Sequence, residues 1–352
     1  MTRKVRVLVV DDSALARKIL TAGLSQDERI EVVGAAPDVY VARDRIVELR
    51  PDVLTLDIEM PRMDGVQFLC RLMPQYPMPV IVVSALSKAG AAVTLDALAA
   101  GALDFVTKPS TSFGNRLETM MADLIDKVLI AAGTDVSHWR ATEFSIHAVK
   151  TQRPTALQQS SSKVIAIGAS TGGTVALTGV VQGLPTTVPG VVIVQHMPPV
   201  FTQMFAAKLD EMSRVEVREA ADGDAVLTGR VLVAPGGLHT TVVRSGGRYL
   251  VRCRPGSPVS GHCPSVNVLM KSVAESAGSN AIGAVLTGMG SDGADGLRAM
   301  RDAGARTIAQ DEATSVVFGM PKEAYRSGGA ERLVPIGQIA KALTDLSQEI
   351  GT

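Results

Sequence analysis

Ser170 lies in a sequence context that exposes nucleophiles in hydrolases. It follows a short apolar, strand-like run and stands between Gly168 and Gly172, in the pattern G-x-S-x-G. In this pattern the glycines let a strand turn sharply into a helix, and the serine hydroxyl is left exposed beside free backbone N–H groups. The same spacing also suits a glycine-rich turn that packs closely or binds a phosphate. The motif alone therefore leaves both a hydrolase and a phosphate-binding loop open.

A catalytic serine needs a general base, and the base needs an acceptor that orients it. Among the five histidines, His196 directly follows the apolar run 191–194, and Asp292 follows another strand-like run through a glycine-rich loop. The carboxyl ends of parallel strands share one edge of a sheet, so we expect both side chains near Ser170. The alternatives are a histidine with a structural role and an aspartate that caps the next helix.

The candidate oxyanion donors are backbone N–H groups around Met289 and in the turn at Thr171. Along the chain the candidate triad runs serine, histidine, aspartate, whereas α/β-hydrolases have the order serine, acid, histidine. A triad is recognised by its geometry and roles, so we expect the same chemistry on a sheet of different topology.

A second group of polar residues follows the strands of the N-terminal region. Asp11 and Asp12 come after the first strand, and Asp57, Ser84 and Lys108 end the third, fourth and fifth strands. Carboxylates at one sheet edge repel one another unless a hard cation such as Mg²⁺ lies among them. With the metal bound, Asp57 is the candidate nucleophile toward a phosphoryl donor, Ser84 a hydrogen-bond donor to the phosphoryl oxygens and Lys108 their counter-charge. Taken singly, these residues also suit helix caps, loop hydrogen bonds and a solvated lysine.

Alternating strand-like and helical patterns are expected to position these groups. Between residues 5 and 130, five apolar runs alternate with amphipathic segments, which predicts a parallel, doubly wound sheet. From residue 163 onward, further runs predict a second parallel α/β sheet with a β-hairpin inserted over 242–253. Residues 131–162 lose the periodicity and become polar, which is typical of a linker. The strand-like runs are 5–10, 31–36, 53–57, 79–84, 104–107, 163–168, 190–195, 215–219, 230–234, 281–287, 305–310 and 332–336.

Composition excludes several classes of protein. The chain has 352 residues, 46% of them hydrophobic, and its 35 basic side chains balance 35 acidic ones, so it is long enough for two domains and carries no net charge. No nucleic-acid-binding role is therefore expected. The three cysteines have no metal-ligand spacing, and acidic residues interrupt the N-terminus where a signal peptide would stay apolar. We expect a cytoplasmic protein without membrane insertion.

Residues 9–13, 56–65, 83–85 and 107–109 resemble the motifs of response-regulator receiver domains, over the first 120 residues. The resemblance implies a flavodoxin-like domain at 1–130 in which a sensor histidine kinase phosphorylates Asp57 with the help of Mg²⁺. It also implies metal ligands and residues that support the phosphorylation site, with Phe105 changing its packing on activation. The implied metal ligands are Asp12, Asp57 and Glu59, and the implied supporting residues are Asp11, Ser84, Phe105 and Lys108.

The second half is similar to the catalytic domain of the chemotaxis protein-glutamate methylesterase family, in residues 167–173, 195–202, 234–239, 286–293 and 316–321. The resemblance implies a Rossmann-like catalytic domain at 163–352 after the linker at 131–162. It implies that Ser170 is the nucleophile, His196 its base and Asp292 the orienting partner, with Thr171 and Met289 at the oxyanion. The implied reaction hydrolyses glutamate methyl esters on the cytoplasmic helices of chemoreceptors, deamidates glutamines there, and needs no cofactor.

One segment departs from the family. Where the family usually has His-Arg-Pro-Ser-Val-Asp, residues 262–267 carry Cys263 and Asn267 in place of the arginine and the aspartate. The substrate contacts that the resemblance implies are therefore left open at these two positions, whereas the triad is unaffected. The competing function is a phosphorylation-controlled module that binds a nucleotide or a partner without hydrolysis.

Overall fold

The computed structural model describes residues 3–85, 87–109, 115–137 and 160–349, without the side chains of residues 115 and 116. The chain divides into two compact units, residues 1–145 and 146–352. Residues 138–159 of the predicted linker lie outside the described residues, so the linker at 131–162 stays a prediction.

The first unit is built on five parallel strands in the spatial order β2-β1-β3-β4-β5. All four residues of β3 are buried, because helices cover both faces of the sheet and the strands are therefore continuous apolar runs. The elements are β1 Val5–Val10, α1 Ala14–Leu24, β2 Ile30–Ala36, α2 Val39–Leu49, β3 Val53–Leu56, α3 Gly65–Gln75, β4 Val80–Ala85, α4 Lys88–Ala99, β5 Asp104–Lys108 and α5 Asn115–Ala131.

The second unit is built on seven parallel strands in the order β14-β13-β12-β6-β7-β9-β8. Its elements up to the hairpin are β6 Val164–Ala169, α6 Gly173–Gly183, β7 Gly190–Gln195, α7 Phe201–Met212, β8 Glu216–Glu219, β9 Arg230–Val233, β10 His239–Ser245 and β11 Arg248–Arg254. After the hairpin follow α8 Val266–Ala277, a 3-10 turn Gly278–Asn280, β12 Ala281–Val285, α9 Ala294–Asp302, β13 Arg306–Gln310, α10 Met320–Arg326, β14 Arg332–Val334 and α11 Ile336–Glu349.

The predicted fold class, two parallel doubly wound sheets with a hairpin insertion, is confirmed. The hairpin differs from the prediction in one respect, because β10 and β11 form a separate antiparallel sheet and do not join the seven-stranded one. On its other side β11 makes one antiparallel bridge, between Leu250 and Ala225. β10 packs instead on α8, where Ser272 Oγ accepts a hydrogen bond from Val242 N at 2.9 Å and Ser276 Oγ donates to Val242 O at 2.8 Å.

Both sheets change their winding direction at a central strand, which is where open α/β sheets form a crevice. In the first sheet β1 has β2 on one side and β3 on the other, and in the second sheet β6 lies between β12 and β7. Asp11 directly follows β1, and Ser170 directly follows β6. Among the described residues, no helix combines the length and the apolar character needed to span a bilayer.

Candidate active site

Ser170 occupies the turn between β6 and α6. Gly172 adopts a positive φ of 75°, and a Cβ at Gly168 would lie 2.2 Å from Val266 Cγ1, so one glycine permits the turn and the other a close helix contact. The backbone of Ser170 is fixed from two sides: its N–H donates to Thr287 O at 3.0 Å, and its carbonyl accepts from Gly173 N at 2.7 Å. The turn therefore presents the serine from a rigid backbone.

The strand register brings His196 to the same level as Ser170. Ala169 and Gln195 are paired residues at the ends of β6 and β7, so Ser170 and His196 leave the sheet side by side. The backbone N–H of His196 donates to Ala169 O at 3.2 Å. From the other side the exit of β12 approaches so closely that a Cβ at Gly288 would lie 2.8 Å from Ser170 Cβ.

The His196 imidazole is oriented by Asp292. Its Nε2 lies 2.9 Å from Asp292 Oδ2, whereas its Nδ1 is buried and has no hydrogen-bond partner among the described residues. Because an ionised carboxylate only accepts, Nε2 carries the proton and the lone pair lies on Nδ1. The usual triad uses the two nitrogens in the opposite sense. Nδ1 therefore carries a lone pair that no described residue, Ser170 included, engages in a hydrogen bond.

Asp292 is 1% exposed and accepts four hydrogen bonds. Besides His196 Nε2, its donors are Ser265 Oγ at 2.8 Å, Val266 N at 2.7 Å and Asn267 N at 3.0 Å. The two backbone N–H groups open helix α8, whose N-terminus favours a negative charge. Burial alone would raise the pKa of Asp292, but the hydrogen bonds from His196 and from the α8 backbone outweigh it and hold the pKa below its usual value.

The alternative role of Asp292, as the side-chain cap of its own helix, is not what the structure shows. Helix α9 begins after Gly293, and no side chain caps it. Asp292 instead binds the N-terminus of α8, a distant segment. Its carboxylate therefore links the His196 ring to the start of helix α8.

The two oxyanion candidates lie on loops at this edge. Thr171 is buried, and Met289 is 38% exposed on the loop after β12. Behind them Thr287 Oγ1 donates to Thr171 O at 2.9 Å and accepts from Val317 N at 2.9 Å, while Thr287 N donates to Gln310 Oε1 at 2.8 Å. These hydrogen bonds fasten the elbow to the β12 exit.

Two polar residues of the site were missed by the sequence analysis. Gln195 ends the fully buried strand β7, and its Nε2 donates to Ser170 O at 2.9 Å. A polar residue that ends an apolar run is a signal that could have singled it out. The ring of His262 stacks on that of His196, with centroids 3.7 Å apart and planes 10° from parallel. Nothing in the local pattern around His262 indicated this contact.

The two departures from the family motif have different surroundings. Asn267 is 4% exposed, and its Oδ1 accepts from Gly293 N at 3.1 Å and Gly296 N at 2.7 Å, so its side chain serves the interior. Its position therefore gives no support for a direct substrate contact by the Asn267 side chain. Cys263 is partly exposed, and burial raises the pKa of its thiol.

A second site lies at the edge of the first sheet. Ligand oxygens of Asp11, Asp12 and Asp57 lie within 4.8 Å of one another. Lys108 Nζ donates to Asp11 Oδ2 at 2.8 Å and to Asp57 Oδ2 at 2.7 Å. Burial raises the pKa of Asp57 despite this lysine. One lysine leaves a cluster of three carboxylates with excess negative charge, which is the donor set that Mg²⁺ prefers.

The other residues predicted around Asp57 are placed as follows. Ser84 is fully buried, and its Oγ lies 2.7 Å from Thr94 Oγ1 on α4. Phe105 is 5% exposed, with Lys127 Nζ 5.6 Å from its ring centroid. Glu59 is exposed and lies outside the three-carboxylate cluster, although its backbone N–H donates to Asp57 Oδ1 at 3.2 Å.

Comparisons with known proteins identify both halves of the chain. The family described as CheB methylesterase matches residues 165–343, and the response regulator receiver domain matches residues 7–153. A protein-glutamate methylesterase/protein-glutamine glutaminase from Syntrophotalea carbinolica is 59% identical over 350 residues, with 99% of each chain covered. Another protein of that description, from Anaeromyxobacter dehalogenans, is 52% identical, with 99% of this chain and 97% of the relative covered. The crystal structure of the Thermotoga maritima CheB methylesterase catalytic domain superposes with a TM-score of 0.51 at 37% identity, covering 52% of this chain and 98% of that one.

Proposed function

Because the chain belongs to the CheB methylesterase family and carries a response regulator receiver domain, we propose that it is a phosphorylation-activated serine esterase acting on glutamate methyl esters of chemoreceptors. The proposal includes deamidation of receptor glutamines, in line with the names of its relatives. The observation that carries it is the His196–Asp292 hydrogen bond at the edge where Ser170 leaves β6, with His196 Nδ1 free to accept a proton.

The reaction begins when Ser170 Oγ attacks the ester carbonyl carbon while its proton passes to His196 Nδ1. The carbonyl oxygen becomes an oxyanion, which backbone N–H groups around Thr171 and Met289 stabilise, each such donor contributing about 3–4 kcal/mol. The tetrahedral intermediate collapses by breaking the bond to the methoxy oxygen, which takes the proton from His196 and leaves as methanol. Water then attacks the acyl-enzyme by the same route in reverse, releasing the glutamate and restoring Ser170.

Asp292 keeps its charge throughout these steps. When His196 is protonated on both nitrogens, the adjacent carboxylate stabilises the imidazolium without taking its proton. The four donors around Asp292 hold the pKa of its carboxyl low, so the proton stays on the ring. In deamidation the same residues act on a glutamine amide, and ammonia leaves in place of methanol.

The receiver is proposed to control this activity through Asp57. Its carboxylate oxygen attacks the phosphorus of the phosphohistidine of the kinase, the N–P bond breaks and the histidine leaves, with Lys108 beside Asp57 as counter-charge. Mg²⁺ held by Asp12 and Asp57, next to Glu59, would offset the charge of the phosphoryl oxygens. Ser84 Oγ accepts from Thr94 Oγ1, and its own hydroxyl faces the carbonyl oxygens of Ala85 and Gly90 at 3.4 Å. Turning that hydroxyl to a phosphoryl oxygen would couple the modification to helix α4.

The proposed division of the chain is a receiver at 1–130, a linker at 131–162 and a catalytic domain at 163–352. Its partners are the cytoplasmic helices of methyl-accepting chemoreceptors as substrate and a sensor histidine kinase as phosphodonor, without nucleic acid. The proposal places the protein in the cytoplasm, where these receptor helices lie, and assigns no cofactor to the esterase reaction.

The test is methanol release from methylated receptor fragments, with and without a small phosphodonor. The expected result is release by the full chain that rises on phosphorylation of Asp57. Covalent labelling of Ser170 by a serine-directed phosphonate separates this function from a non-hydrolytic binding module, which would leave Ser170 unlabelled. No methanol release and no labelling would refute the proposal.

A further inference from the structure

A second imidazole lies against the proposed base. His262 stacks on His196 with ring centroids 3.7 Å apart and an angle of 10° between the planes. We infer that His262 is a positioning residue for the esterase: its ring fixes the plane of His196, so that Nδ1 keeps one direction while Nε2 stays on Asp292. This inference rests on the proposed function and extends it to a residue outside the triad.

The need for such a contact follows from how His196 is held. Its side chain is 7% exposed, but the only hydrogen bond that orients the ring is the one from Nε2 to Asp292, because Nδ1 has no partner among the described residues. A ring fixed at one corner can still tilt about that corner. A parallel ring at 3.7 Å opposes the tilt, since rotation out of the plane drives atoms of the two rings together.

The backbone around His262 is shaped to present this ring. Val259 and His262 exchange two backbone hydrogen bonds, both of 3.0 Å. Between them Ser260 and Gly261 have positive φ values of 54° and 83°, the values of a type I′ turn. A serine in the left-handed region is uncommon, so the surrounding structure has to hold the turn in place.

Asn267 supplies that hold. Its Nδ2 donates to Ser260 Oγ at 3.2 Å, its Oδ1 accepts from Gly293 N and Gly296 N, and its backbone N–H donates to Asp292 Oδ1 at 3.0 Å. One residue thus ties the turn that carries His262 to the loop that carries Asp292. The stacked face and the hydrogen-bonded edge of His196 are therefore positioned from a common support.

The experiment compares three replacements of His262 in the full chain. His262→Phe keeps a flat ring without nitrogens, His262→Leu keeps apolar bulk without the flat ring, and His262→Ala removes both. With methylated receptor fragments, we expect kcat to fall about tenfold for the Leu and Ala variants at nearly unchanged KM, and by less than about twofold for Phe. Urea unfolding of each variant controls for folding.

A second readout is independent of turnover. In the wild type the proton on His196 Nε2 is expected as a sharp, slowly exchanging signal in ¹⁵N-edited NMR spectra. The signal should persist in the Phe variant and broaden in the Ala variant, although both keep Asp292.

The outcomes separate this inference from the proposed function. A Phe variant as slow as Ala would overturn the inference, because it would show that a nitrogen of His262 is needed rather than its ring. Unchanged kcat in all three variants, with an active wild type and an inactive Ser170→Ala protein, would overturn it too but leave the esterase standing. An inactive wild type would instead refute the function itself.

Discussion

The two sites use buried carboxylates in opposite ways at equivalent edges of their sheets. Asp292 accepts four hydrogen bonds, whereas Asp57 accepts from Lys108 Nζ and the Glu59 backbone and shares its site with Asp11. The hydrogen bonds lower the pKa of Asp292 despite its burial, and burial raises the pKa of Asp57 despite its lysine.

In the proposed function, this difference lets the same edge of two similar sheets serve two kinds of chemistry. A carboxylate that accepts two hydrogen bonds on each oxygen is a fixed charge that orients a neighbour and does not attack. A carboxylate with open lone pairs and an unbalanced charge is suited to bind a cation and react. The surrounding donors, more than the residue type, separate an orienting aspartate from a nucleophilic one.

The largest expected effect separates the two sites completely. Ser170→Ala should lower methanol release by a factor on the order of 10⁶, because no other group forms the acyl-enzyme. Phosphoryl incorporation at Asp57 should be unchanged in the same protein, measured with a radiolabelled phosphodonor. Substantial methanol release from this variant would mean that another nucleophile acts.

The same substitution at both carboxylates tests the comparison directly. Asp292→Asn should lower kcat about 10⁴-fold. The amide NH₂ of asparagine would face N–H donors that now bind the carboxylate, and the neutral amide would no longer fix the Nε2–H of His196. Asp57→Asn should keep the unstimulated rate and lose only its increase with phosphodonor. Equal losses of the unstimulated esterase rate in the two variants would contradict the separate roles proposed for Asp292 and Asp57.

Chelation of Mg²⁺ should affect only the open carboxylates. Without the ion, phosphoryl incorporation at Asp57 should slow by more than about 100-fold, because the acidic cluster repels an anionic donor. The unstimulated esterase rate should not change, since no metal takes part in that proposed reaction. Both rates are measured in the same preparation before and after metal is restored.

Two glycines that lie against the reacting residues should affect one site each. A Cβ at Gly288 would lie 2.8 Å from Ser170 Cβ, and one at Gly65 would lie 2.9 Å from Asp57 O. Gly288→Ala should lower kcat of the esterase by about 10–100-fold and leave phosphorylation of Asp57 normal, because small displacements of reacting groups are costly. Gly65→Ala should slow phosphorylation of Asp57 by a similar factor and leave the unstimulated esterase rate normal. Gly179→Ala is the control, since nothing lies within 4 Å of its Cβ position.

The smallest expected effect is on stability against pH. The pKa of Asp292 lies below the ordinary 3.8, so its ionisation stabilises the fold above pH 3.8 and that stability is lost as the pH falls through the lowered pKa. The pKa of Asp57 is raised, so its ionisation costs stability once the pH exceeds 3.8. In Mg²⁺-free urea unfolding at neutral pH, Asp292→Asn should therefore destabilise and Asp57→Asn stabilise. A change of the same sign in both variants would contradict the pKa directions.

The strands of both units were predictable because parallel strands covered on both faces are continuous apolar runs. The run 163–168 became β6 Val164–Ala169, and 190–195 became β7 Gly190–Gln195. Strand order was not predictable, since β6 pairs with β12 across a large separation in sequence. The prediction that polar residues at strand ends share one edge needed only the parallel arrangement, and the structure places Ser170, His196 and Asp292 at one edge.

The surroundings of the triad could not be predicted in the same way. The stack of His262 on His196 depends on the left-handed conformation of Ser260 and on the amide of Asn267, and neither follows from hydrophobic periodicity. The orientation of the His196 ring likewise depends on where Asp292 is fixed by the start of α8. Such features come from specific hydrogen bonds that loops make to one another and to the start of α8.

The binding of Asp292 to the start of α8 has a consequence for how lineages of this protein can change. That helix supports the β10–β11 hairpin through Ser272 and Ser276. A descendant that no longer needed catalysis could replace Ser170 freely, whereas replacing Asp292 would also remove its hydrogen bonds to the start of α8 and cost stability. In descendants that have lost esterase activity, Asp292 should therefore be retained after Ser170 has been replaced. The residue at the serine position is the one that identifies such inactive proteins.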